Sequence, residues 1–164
     1  MSHVIFNSIW VGVLAGILGG AARLGWSATL PVHSLQVHEQ SPIANFLAIF
    51  GFSKRTINRR LSLAGGQGMP LLQSLTYYVY SIIVAVIFVF GANADGNLTH
   101  GLGTMYGLII WIVVDLIFLP LFQVVPVFWR RSLPELAVEM SGYLFFGWAV
   151  YLVAVGLPVS VIYF

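Results

Sequence analysis

Residues 111–122 read WIVVDLIFLPLF, a run of bulky apolar side chains that holds one carboxylate, Asp115, with a proline five positions later. The apolar character extends over residues 102–125, long enough at ~1.5 Å rise per residue to cross a hydrocarbon core ~30 Å thick. Three more runs of the same kind lie at residues 4–25, 71–92 and 136–160. The fold class this predicts is an all-α integral membrane protein with four transmembrane helices.

Composition agrees. Hydrophobic residues make up 59% of the 164-residue chain and charged residues 7%, with a mean hydropathy of +0.94, far from the ~25% charged residues of an average soluble domain. The length fits a single membrane domain, residues 1–164, and leaves no room for a separate soluble catalytic domain. No cysteine is present, which removes disulfides, thiolate metal sites and thiol nucleophiles. The opening run has no Lys or Arg before it and no convincing small-residue cleavage site, so it is read as a retained span rather than a secretory signal.

Between the first two spans the chain changes character. LPVHSLQVHEQSP is polar and turn-rich, and SPIANFLAIFGF predicts a short helix over about residues 42–52, with Ser41 as N-cap and Pro42 as its first residue. That helix is too short to span and is expected to be interfacial or re-entrant. The basic segment SKRTINRR follows, whose Lys54, Arg55, Arg59 and Arg60 suit a membrane surface and anionic headgroups. Together with Arg130 and Arg131 after the third span, these charges predict that both connections are cytoplasmic and both termini lie outside. The seven basic residues form two clusters plus Arg23, which gives no basic face for nucleic acid.

GVLAGILGGAAR in the first span carries Gly12, Gly16, Gly19 and Gly20, small residues that let a second backbone approach closely. Arg23 lies at the end of the same face. It is expected either to snorkel to the interface or to pair with a carboxylate, Glu139 of the last span being the candidate. RRSLPELAVEMSGY sets Ser132 three residues before Glu135, a capping-box spacing that accounts for Glu135 and leaves Glu139 one turn deeper.

Asp115 is the strongest signal. Counted from the outer end of its span it falls about 20 Å in, near the middle of the core, where insertion of such a residue costs about 2.5–3.5 kcal/mol. Its carboxyl must therefore face protein or water, either neutral and hydrogen-bonded or charged and paired. Pro120 removes the backbone donor to Leu116, which predicts a kink just after Asp115. Asp115, Glu139 and Arg23 are thus the candidates for an ion or proton pathway. A neutral Asp that merely fastens two helices is the plainer alternative. His33 and His38 lack a third ligand at metal spacing and are read as solvated; GGQGMP is too short for a phosphate cradle. No catalytic, metal or cofactor site is expected.

The order of these motifs resembles the YagU-like family of small bacterial inner-membrane proteins, whose function is not biochemically defined. The resemblance runs through GVLAGILGGAARLGWSATLP, SPIANFLAIFGF, GLGTMYGLIIWIVVDLIFLPLF and PVFWRRSLPELAVEMSGYLFFGWAVYL. It maps the family's basic residue and Leu-Pro onto Arg23 and Leu30-Pro31, its polar residue five before a proline onto Asp115 and Pro120, and its Glu with a following Gly-His onto Glu139, Gly142 and Tyr143. Asp and Tyr stand here where the family often has His, which removes two imidazoles. The resemblance implies a bacterial plasma membrane location and supplies no reaction.

The functional expectation is a proton or cation channel or transporter-like protein that uses Asp115, with Arg23 and Glu139 as an inner gate pair. The rival is a non-conducting assembly or lipid-binding subunit; an integral membrane enzyme ranks third. Expected partners are the bilayer, anionic lipids included, and a second copy or another membrane protein.

Overall fold

The computed structural model describes residues 2–30, 42–59 and 70–157. The expectations for Pro31, His33, His38, Ser41, Arg60 and most of GGQGMP lie outside these residues. Four helices are long and apolar enough to cross a membrane, and no strand occurs among the described residues. The first span, α1, is Ser2–Thr29. The short α2, Pro42–Ile49, and α3, Lys54–Ile57, precede the second span, α4, Leu71–Ala94. The third span begins as α5, Thr104–Ile110, widens to a π-helix over Trp111–Phe118 and ends as α6, Leu119–Leu121. The last span, α7, is Leu133–Gly156.

These bounds differ from the sequence reading by three or four residues at several ends: α1 runs to Thr29 rather than 25, α2 stops at Ile49 rather than 52, and α7 ends at Gly156 rather than 160. The third span stops at Leu121 instead of residue 125, because Gln123 takes a left-handed conformation (φ 56°) and Val124 turns back to bond the Leu119 carbonyl. The last helix begins at Leu133 rather than 136, because Ser132 caps it, its Oγ accepting from the Glu135 N–H at 3.4 Å.

α1 packs against both α4 and α7, and the third span packs on α7. Lipid has no hydrophobic drive of its own to offer between helices, so close approach depends on small residues. Gly12 and Gly16 lie against the backbone of Val86 and Ile82 on α4, Gly20 against Ser81, and Gly19 against Val150 and Phe146 on α7. The glycine stripe of the first span is therefore occupied within the chain. A second close crossing had no counterpart in the sequence reading: Gly103 and Gly107 of the third span meet Gly147 and the Tyr143 backbone of α7. Gly103 also sits at φ 82°, closing the turn that starts α5.

The buried core consists of residues such as Val11, Ala15, Val84, Phe88, Phe146 and Val150. Tyr106 ties the third span back to α4, its ring 4.8 Å from that of Phe88 and its hydroxyl donating to the Val84 carbonyl at 2.6 Å. Outside the core, α2 rests on the end of the bundle where α1 and α6 finish and α4 and α7 begin. Ala44 and Leu47 of α2 form a small apolar cluster with Ile57, and Asn45 Nδ2 donates to the Val124 carbonyl at 3.1 Å. Lys54, Arg55, Arg59 and Arg130 are exposed at this same end, called the basic end below.

Candidate functional site

The connection from the third span to α7 does more than join them. After the 3₁₀ turn Phe128–Arg130, Arg131 is extended (φ −93°, ψ 153°) immediately before the helix cap Ser132. Extended backbone sends neighbouring side chains to opposite sides. Trp129 and Arg130 face outward, whereas Arg131 turns into the bundle and is only 8% exposed.

There its guanidinium meets both carboxylates of the site. Arg131 Nη1 lies 2.8 Å from Asp115 Oδ2 and 2.5 Å from Glu139 Oε2. Nη2 donates to the Asp115 carbonyl at 3.3 Å, and Nε donates to the Pro126 carbonyl at 3.0 Å. A guanidinium presents five N–H donors in a fixed fork, and this one spends them on two helices and on its own connection. Asp115 is 5% exposed; the Glu139 side chain keeps 28% of its surface, making it the more accessible carboxylate.

Why the Asp115 carbonyl is free follows from the π-helix. Within it each N–H bonds the carbonyl five residues back; at its end the Leu119 N–H bonds Val114. The next donor in that register would be residue 120 onto Asp115, and residue 120 is proline. Pro120 thus leaves the backbone oxygen of Asp115 open, and Arg131 fills it. α-Helical spacing places the freed carbonyl on Leu116; the wider π register moves it onto Asp115. Asp115 lies about 9 Å from the Leu121 end of its span and about 16 Å from the Thr104 end at ~1.5 Å per residue, on the basic-end side of the middle.

Arg23 does not pair with Glu139. Its guanidinium lies over the Tyr143 ring, 3.7 Å from the centroid, with Tyr77 and Tyr80 around it. Arg23 also passes Gly142, where a Cβ would stand in ordinary contact 3.5 Å from Arg23 Nε. The Tyr77 hydroxyl donates to the Gly20 carbonyl at 3.0 Å, whereas the Tyr80 hydroxyl is buried with no hydrogen-bond partner among the described residues. Nearby, Trp26 stacks on Phe145 at 4.9 Å and donates to Ser141 Oγ at 3.0 Å. Arg23 and Glu139 approach opposite ends of one turn of α7, and Arg131 has taken the carboxylate.

Arg131 is the residue that sequence reasoning assigned to the wrong environment. Part of the signal is in the sequence, since a buried carboxylate needs a cation and Ser132 sets the Arg130–Arg131 pair at the mouth of the helix that carries Glu139; which of the two turns inward is not. Among the described residues, no group of three or more His, Cys, Asp or Glu side chains is placed to hold a metal ion. The arrangement holds two carboxylates against one cation. With both ionised it carries one excess negative charge, which a proton or a monovalent cation would neutralise.

The family model described as "Protein of unknown function (DUF1440)" matches residues 17–152, a stretch that includes Arg23, Asp115, Arg131 and Glu139. No curated protein and no solved structure matches the chain.

Proposed function

Since the chain belongs to the DUF1440 family of proteins of unknown function, we propose its role from the chemistry of the site: a polytopic membrane protein that handles protons or monovalent cations in a transporter-like or channel-like manner. The observation that carries this reading is one guanidinium shared by two intramembrane carboxylates, Asp115 and Glu139. Intramembrane ionisable groups are costly and mark ion or proton routes in many membrane proteins. With Glu139 protonated, Arg131 and Asp115 form a neutral pair. With Glu139 ionised, the group gains a negative charge and attracts a cation. The connection carrying Arg131 is the element that the change would bias, since the same side chain holds both carboxylates and the Pro126 carbonyl.

A bacterial inner-membrane location, kinship with the YagU-like proteins, a non-enzymatic role and a cytoplasmic basic end belong to this proposal. The orientation draws on Lys54, Arg55, Arg59 and Arg130 clustering at one end. A cysteine introduced at the exposed Ser53 should resist labelling from outside intact cells; labelling there would reverse the orientation.

The functional test is flux into liposomes containing a pH-sensitive dye or a cation indicator. Glu139→Gln and Asp115→Asn keep the side-chain shapes but cannot ionise, so each should abolish flux at matched incorporation and unchanged oligomer size. Flux equal to that of the unaltered chain in both variants would sink the transport reading. It would favour the alternative of a non-conducting assembly or lipid-binding subunit, for which the third span, the least buried of the four, offers a lateral face for a second copy or partner.

A further inference from the structure

At the basic end a cavity of about 610 Å³ opens beside the connection from the third span to α7. Arg130, Asn45 and Gln123 are the polar residues of its lining, which also includes Trp129, Val125 and Pro126. Asn45 uses one amide N–H on the Val124 carbonyl, which fixes the side chain and leaves the other N–H and the amide oxygen available. The volume lies within the range of small-ligand clefts, about 300–1,000 Å³.

Two further features choose the ligand. Leu121, Phe122 and Phe128, next in the chain to lining residues, are all exposed, Leu121 by 74%, so apolar surface adjoins the polar lining. Trp129 is 70% exposed at the level where the spans begin and end, the depth at which amphipathic indoles sit among headgroups. A free phosphate would use the cation and the amides but not the apolar apron. A glycerophospholipid uses both, its phosphate against Arg130 and its acyl chains along the exposed side chains.

We propose that the cavity bounded by Asn45, Gln123, Trp129 and Arg130 is a headgroup site for an anionic glycerophospholipid. This site is distinct from the Asp115–Arg131–Glu139 group and does not depend on ion movement, although Pro126 lies in its wall and bonds Arg131 through its carbonyl. It is also distinct from the exposed charges of α3, which act on the membrane as a diffuse basic surface.

The test is native mass spectrometry of the detergent-purified full chain with dioctanoyl phosphatidylglycerol, dioctanoyl phosphatidylcholine and inorganic phosphate, alongside thermal melts. Phosphatidylglycerol should bind about tenfold more tightly than phosphatidylcholine, on the scale expected for a charge-assisted phosphate contact. Arg130→Gln should remove most of that preference, Val125→Trp should reduce binding of both lipids by filling the cavity, and Lys54→Gln combined with Arg55→Gln should leave the preference intact. Unchanged preference in Arg130→Gln, or an equal loss in the α3 double variant, would overturn the assignment. So would inorganic phosphate displacing the lipid at equal concentration.

Discussion

Two arginines enter the same bundle and are held in different ways. Arg131, from a connection, is neutralised by Asp115 and Glu139 and bonds two backbone carbonyls; Arg23, within the last two turns of an apolar helix, lies on the face of Tyr143. Position in the chain would assign the roles the other way, with the arginine inside a span meeting the buried carboxylates. The difference teaches that depth along the sequence does not fix depth in the bilayer. A connection can fold back to deliver a charge where a helix has opened a carbonyl, and an aromatic face can hold a guanidinium that has no counter-charge among the described residues.

The comparison breaks most visibly at Arg131. Arg131→Gln leaves Asp115 and Glu139 facing each other without a cation, and loss of one member of a buried ion network costs about 3–5 kcal/mol. Thermal melts in detergent should show a severe loss, and adding Asp115→Asn to Arg131→Gln should recover part of it. A double variant no more stable than Arg131→Gln alone would show that Asp115 does not depend on Arg131.

Next in size come the helix crossings that set the two arginines apart. Gly107→Leu would press a side chain against the Tyr143 backbone and separate the third span from α7, on the Arg131 side; overpacking of this kind costs about 1–3 kcal/mol. Gly16→Leu should do the same between α1 and α4. Gly156→Leu, at a position with open space around it, is the control and should melt as the unaltered chain does. Equal melts for Gly107→Leu and Gly156→Leu would mean that close approach of the third span is not needed.

The number and type of the spans were legible in the sequence because a bilayer leaves the backbone few choices, and an apolar run of sufficient length must become a helix. The Ser132 cap and the short helix at Pro42 were legible for local reasons, proline at a helix start and a polar side chain before it. Asp115, Glu139 and Arg23 were picked out by the cost of charge in an apolar run. Their pairing was not legible. Arg130 and Arg131 are the same residue type side by side, and only the 3₁₀ turn ahead of the cap decides which of them faces inward. The consequence of Pro120 was half legible: a missing donor follows from its ring, but the carbonyl it frees depends on the π register, which side-chain periodicity does not encode. The crossing of Gly103 and Gly107 with Gly147 involves partners on two separate spans, and spacing within one span does not reveal its neighbour.

A smaller effect belongs to Arg23. Tyr143→Leu removes the ring but keeps an apolar side chain, and a cation over an aromatic face is worth about 0.5–2 kcal/mol depending on how far it is desolvated. The variant should melt slightly lower, while Tyr143→Phe, which retains the face, should stay close to the unaltered chain. Equal losses in both would assign the stabilisation to the Tyr143 hydroxyl rather than to the stacked guanidinium.

The central claim is that Glu139 answers to Arg131 and not to Arg23, and two double-mutant cycles measured by thermal unfolding in one detergent test it most directly. Glu139→Gln combined with Arg131→Gln should depart from additivity by at least about 1 kcal/mol, as groups in one ion network do, whereas Glu139→Gln combined with Arg23→Gln should be additive to within about 0.5 kcal/mol. The reverse pattern, coupling to Arg23 and additivity with Arg131, would contradict the account.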